Sequence, residues 1–152
     1  MKFDLFDRPP REASSFTGFS GNRIDRQSEK RDDASVANAL LDPSARIMLL
    51  TPGGRMLLKR TAVGFDPFFA KTEMATFAAE QAALVLLGND EAGPVLAGPS
   101  GIDPEALSEP VKAIDFRSIY VQGLLDAERA GALAQAAALL AWNVSHRFCG
   151  RC

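Results

Sequence analysis

The chain has 152 residues, a formal net charge of -2, 47% hydrophobic residues and 24% charged residues. That length suits one domain, or one domain and a fragment, able to bury about 70% of its unfolded surface. The composition is that of an ordinary globular protein, without the basic excess that binds nucleic acid by bulk electrostatics and with too few cysteines for a disulfide framework.

The opening MKFDLFDRPP has Asp4, Asp7 and Arg8 breaking any apolar run, so no secretory leader is read there. Residues 1–33 are charged and turn-rich, with Phe3, Phe6, Phe16 and Phe19 as anchors onto a core. Residues 20–26 hold a glycine, an asparagine and paired charges, but not the G-x-G-x-x-G pattern that cradles phosphates. Arg23, Asp25 and Arg26 are expected to make local ion pairs or turn contacts. Arg26 is also a candidate to face a phosphate, because arginine is the usual bidentate partner of that group.

Apolar runs at 46–50 and 56–59, separated by Thr-Pro-Gly-Gly, predict a hairpin. Residues 65–69, split by Asp66-Pro67, read as an irregular stretch with its aromatics turned inward. A short helix is expected over 72–81, capped by Thr72 and with Glu73 in its first turn. A second hairpin follows, 82–87 and 94–97 around a turn at 88–93, which requires Pro94 at an edge or at a strand's first residue. Residues 98–110 form a turn-rich connector, and 115–123 begin the helical C-terminal part. Hairpins followed by helices predict an α+β fold, a small mixed sheet packed with helices.

The strongest helix signal covers 126–147. Leu133, Ala137, Leu140 and Val144 recur at helical spacing, and Leu139 and Trp142 widen the stripe. Asp126 is the expected N-cap, Glu128 suits the positive end of the dipole, and His146 and Arg147 suit the negative end. If this stripe outruns what its own domain covers, the exposed part is expected to seek a partner. The most apolar segment, 136–142, is far too short to span a bilayer. Two cysteines close together at one end fit a reducing compartment, which predicts a cytoplasmic protein.

Cys149 and Cys152 have the spacing of a zinc knuckle, with Gly150 permitting the tight turn between two thiolates on one tetrahedral ion. A redox pair would prefer a helix N-terminus, which lowers the thiol pKa, whereas these follow a helix C-terminus. A c-type haem site needs a histidine directly after the second cysteine. A structural zinc site takes four ligands, so Cys149 and Cys152 are half of one.

The run FRSIYVQGLLDAERAGALAQAAALLAWNVSHRFCGRC resembles the segment of NADH pyrophosphatases, Nudix hydrolases with a zinc ribbon, that joins their N-terminal domain to the ribbon. Trp142, His146, Arg147, Phe148, Cys149 and Cys152 hold the places of the family's tryptophan, basic stretch and Phe-Cys-x-x-Cys. FSGNRIDRQSEKR, at 19–31, is similar to the family's F-x-G-N-x-L-D-R-x-S-x-x-R. The resemblance implies a degenerate Nudix-like domain over 1–125, a connecting helix over 126–147 and the start of a zinc ribbon at 148–152, with a second C-x-x-C and a Nudix box further along. It implies a parent that hydrolyses NADH or NAD⁺ to nicotinamide mononucleotide and AMP, acts on NAD-capped RNA, uses Mg²⁺ or Mn²⁺, holds a structural zinc and forms homodimers. The partners of this stretch would be its own ribbon and catalytic domain.

Catalytic residues are not expected here. The family's box, G-x5-E-x7-R-E-U-x-E-E-x-G-U, clusters carboxylates on one helix to bind the hard ion that activates water. No paired glutamates follow an arginine in this sequence, and Glu73, Glu80, Glu105, Glu109 and Glu128 read as surface carboxylates. His146 has no serine or cysteine placed with a third group to form a triad, and it is not assigned to the metal. A free-standing interaction module and a small thiol-redox protein are the two alternatives, the second of which predicts a depressed Cys149 pKa.

Overall fold

Apolar runs on both sides of a Pro-Gly-Gly turn fold as expected into β1 (Arg46–Leu50) and β2 (Met56–Thr61), antiparallel with Leu50 opposite Met56. The computed structural model describes residues 14 and 17–146. Thr51 closes the hairpin: its amide donates to the Arg55 carbonyl at 2.8 Å and its hydroxyl accepts from the Arg55 amide at 3.1 Å. Gly54, at φ 76°, takes the left-handed position that the turn needs.

β1 also runs parallel to β5 (Gly93–Pro99), from Arg46 beside Val95 to Leu50 beside Pro99. β4 (Val85–Asp90) is antiparallel to β5, and β3 (Gly64–Asp66) and β6 (Val111–Ile114) both pair with β2. The result is one mixed sheet ordered β3-β2-β1-β5-β4, with β6 on β2, and the α+β expectation holds.

Alternation along the central strands sends apolar side chains to both faces. Ile47, Leu49, Leu57 and Leu96 point to one face, where α1 (Ser35–Ala39) and a 3-10 segment, Lys71–Phe77, add Leu40, Met74 and Phe77. Met48, Leu50, Met56, Leu58, Val95 and Ala97 point to the other, under α2 (Phe116–Val121) and α3 (Ala127–Ser145). Strands covered on both faces need no polar alternation.

α3 starts where its cap was expected: the Asp126 carboxylate accepts from the Arg129 amide at 2.8 Å. Asp126→Ala is expected to lower stability by about 1 kcal/mol, measured as a shift in the urea unfolding midpoint. At the other end, the His146 amide donates to the Trp142 carbonyl at 2.9 Å, and the imidazole Nδ1 lies 3.0 Å from the same oxygen. Arg147 lies outside the described residues. Gly131, Ala132, Leu133 and Ala136 are buried, and Ala137, Leu139 and Leu140 pack partly on the same cluster. Trp142 and Val144 stand clear of the sheet, 56% and 66% exposed.

Several expectations are corrected. The helix expected over 72–81 is two 3-10 segments, Lys71–Phe77 and Gln81–Ala83, with Ala70 rather than Thr72 at the start. Met74 and Phe77, three residues apart, both face the sheet, and a 3-10 turn superimposes such positions where an α-helix rotates them apart. Glu73 closes the first turn by accepting from the Ala70 amide at 2.7 Å. The second hairpin is shifted from the expected 82–87: β4 begins at Val85 rather than Ala82 and continues through Gly88, Asn89 and Asp90, so the turn shrinks to Glu91 and Ala92. Pro94 is the second residue of an interior strand, neither at an edge nor first. It is tolerated because it opposes Asn89, whose amide and carbonyl point away to Asp25, and because the ladder with β1 begins one residue later. β3 arises largely in the stretch read as irregular, and β6 falls between the connector at 98–110 and the helical part from 115, where no element is expected.

Asp115 caps α2, accepting from the Ser118 hydroxyl at 2.6 Å and the Ser118 amide at 2.9 Å. These two bonds hold its carboxyl below the ordinary value of 3.8. A carboxyl depressed in the folded state stabilises fully above the unfolded value and loses that contribution as pH falls through the folded one. Unfolding midpoints should therefore decline below about pH 4, with a shallower decline in Asp115→Asn.

Candidate functional site

Cys149 and Cys152, read as half of a zinc site, lie outside the described residues, as do Phe3, Phe6, Phe16 and Phe148. What is described is the seat of the helix that leads to them. A methyl group at Gly131 would lie 2.6 Å from the Asn22 amide nitrogen, and one at Gly21 would lie 2.7 Å from Ala127 backbone atoms. Only glycines on both sides allow the N-terminal segment to lie so closely along α3. Asn22 Nδ2 donates to Gln135 Oε1 at 2.7 Å, and Gln135 Nε2 donates to the Leu87 carbonyl at 2.9 Å. Helix, strap and strand are thereby joined in one chain of bonds.

The rest of 19–31 continues the strap. Phe19 sits 5.0 Å from the ring centres of both Phe116 and Tyr120. Asp25 and Asn89 exchange backbone hydrogen bonds of 2.8 and 3.0 Å, so the strap extends the β4 edge. Asp25 makes the turn contact expected of it, its Oδ1 accepting from the Gln27 amide at 3.1 Å, whereas the ion pair of Arg23 is not local: its Nε meets Glu128, on α3, at 2.6 Å. Arg31 donates to the carbonyls of Arg26 and Leu87 at 2.9 and 2.8 Å.

Between strap, β1 and the start of α3 lies a cleft of about 620 Å³. The Arg46 guanidinium pairs with Asp90 there and lies 4.6 Å from the centre of the Phe68 ring. Arg23 and Glu128 form a second pair in its wall. The Arg46 Nε is buried without a hydrogen-bond partner among the described residues. The cleft's charges are largely matched within the protein, which favours a structural seam over a strongly charged binding site. The Arg46–Asp90 pair is not foreseen from the sequence, where Asp90 reads as part of a turn.

The carboxylates considered for catalysis are dispersed. Glu73 contacts Lys59 at 3.3 Å, Glu105 contacts Arg55 at 3.7 Å, and Glu109 contacts Lys112 at 2.9 Å. Glu80 is exposed at the start of the second 3-10 segment. Among the described residues, no group of three or more His, Cys, Asp or Glu is placed to hold a metal ion. His146 stacks on Trp142 with ring centres 4.8 Å apart. None of the described helices is long and apolar enough to cross a membrane.

Comparison with known proteins adds one finding. The sequence model of a family described as NADH pyrophosphatase-like rudimentary NUDIX domain matches residues 45–142. No match to the chain is found among curated proteins.

Proposed function

Since the chain belongs to the NADH pyrophosphatase-like rudimentary NUDIX domain family, we propose that it is the non-catalytic N-terminal region of an NAD(H) pyrophosphatase. In this reading it scaffolds a zinc ribbon and a Nudix domain that carries the chemistry. The parent reaction is hydrolysis of NADH or NAD⁺ to the mononucleotide and AMP, with NAD-capped RNA as a further substrate. The observation that carries the reading is α3, rooted in the sheet through Leu133 and Ala136 while Trp142 and Val144 stand free just ahead of the cysteine pair.

The donor sets divide the two metals. Cys149 and Cys152 are soft thiolate donors that suit zinc and supply two of its four ligands. The dispersed carboxylates among the described residues do not fit Mg²⁺ or Mn²⁺, which would be held by the catalytic domain. Homodimer formation is supported by the exposed apolar end of α3, and a cytoplasmic setting by a thiol pair reserved for a metal. The test is an assay of NADH cleavage with Mg²⁺. Residues 1–152 alone are expected to release no AMP, and the same region joined to a ribbon and Nudix domain to release it. Hydrolysis by residues 1–152 alone would overturn the reading.

A further inference from the structure

Most basic side chains described in this chain sit against a carboxylate, as Arg23 does on Glu128 and Arg60 on Glu109. Arg26, Lys30 and Arg31 do not: among the described residues none of the three has an ion-pair partner within 4.0 Å, the limit for such a pair. All three line one pocket of about 370 Å³ between the strap, α1 and the β4–β5 edge. We propose that this pocket binds a phosphate-bearing anion, with Arg26, Lys30 and Arg31 as its cationic wall.

Three features support a built site. Arg31 is held in place by two carbonyl acceptors, Arg26 O at 2.9 Å and Leu87 O at 2.8 Å, so its charge is fixed on the pocket wall. An immobilised guanidinium loses little further entropy when an anion docks. Next, Gln27 adopts a left-handed backbone, φ 42°, which a non-glycine residue takes at a cost and which lies between Arg26 and the 3-10 turn bearing Lys30. Finally, burial and then the like charge of Arg26 pull the Arg31 guanidinium below its usual range. Like charges kept close without an ion-pair partner are relieved by an anion. Asp32 and Asp42 also line the pocket, but their carboxylates accept from their own turns. Asp32 Oδ1 takes the Ser35 hydroxyl at 2.8 Å, and Asp42 Oδ1 takes the Ser44 hydroxyl at 2.6 Å.

Phosphate suits this wall better than a carboxylate ligand would, because it offers more acceptor oxygens to the three cations that line the pocket. The proposal does not depend on the scaffolding reading. It is tested by ¹⁵N amide NMR of residues 1–152 titrated with inorganic phosphate, pyrophosphate and AMP, each against sodium chloride at equal ionic strength. Saturable shifts confined to residues 26–32 and 86–89 are expected. Preference for AMP over inorganic phosphate would assign the site to nucleotides, and equal binding to the phosphate group alone. Arg26→Ala with Lys30→Ala should weaken binding at least about tenfold, with the thermal midpoint little changed because both side chains are exposed and neither makes an ion pair among the described residues. Shifts no larger than the chloride control, or binding unaffected in the double variant, would overturn the proposal.

Discussion

Leu133→Ala is expected to lower the free energy of unfolding by about 3 to 4 kcal/mol, with the denaturant slope unchanged. Leu133 is fully buried where α3 crosses the sheet, in one cluster with Met48, Val95 and Ala97. Its helical neighbours at the seat, Ala132 and Ala136, are too small to fill the vacated space. The cost of the cavity therefore adds in full to the lost transfer energy. For a domain whose whole stability is of the order of 5 to 15 kcal/mol, that is a large share. Val144→Ala, at an exposed position of the same helix, should change stability by no more than about 0.5 kcal/mol. Equal effects at the two positions would mean that α3 is not seated as described.

Gly131→Leu should have the second-largest effect, about 3 kcal/mol of destabilisation. Two effects oppose each other here. Removing glycine from a helix interior favours the helix by up to about 1 kcal/mol. Against that, even the first added carbon would lie 2.6 Å from the Asn22 amide nitrogen, a backbone atom that cannot rotate away. The clash outweighs the helix preference, and the strap must lift. The lift breaks the Asn22–Gln135 bond, so amide exchange at Ile24, whose amide donates to Asn22 Oδ1, should accelerate along with the stability loss. A more stable variant would show that propensity, not contact, governs this position.

The parts of the fold legible in the sequence were those whose signal is local. The Thr-Pro-Gly-Gly turn announces the first hairpin, and the Asp126 cap with its alanine-rich run announces α3. What escaped depended on distant partners. β6, with Lys112 inside a four-residue run, is a strand only because β2 supplies its ladder. Asn89 and Asp90 look like turn residues until Asp25 and Arg46 are placed beside them. The strap was legible as a motif but not as a joint, because Gly21 and Gly131 show their purpose only when brought face to face. Cys149 and Cys152 remain a reading of spacing, outside the described residues.

The way α3 is anchored has a mechanical consequence. Past Leu140, the last side chain packed on the core cluster, the helix overhangs its support by about 9 Å to His146 at 1.5 Å per residue. A tilt of about 10° at Gly131, about 22 Å back along the helix, would swing that tip by about 4 Å. The tip at His146 is thus held by a lever whose fulcrum is two glycines and an asparagine. The aim of the tip depends on how little play that fulcrum allows.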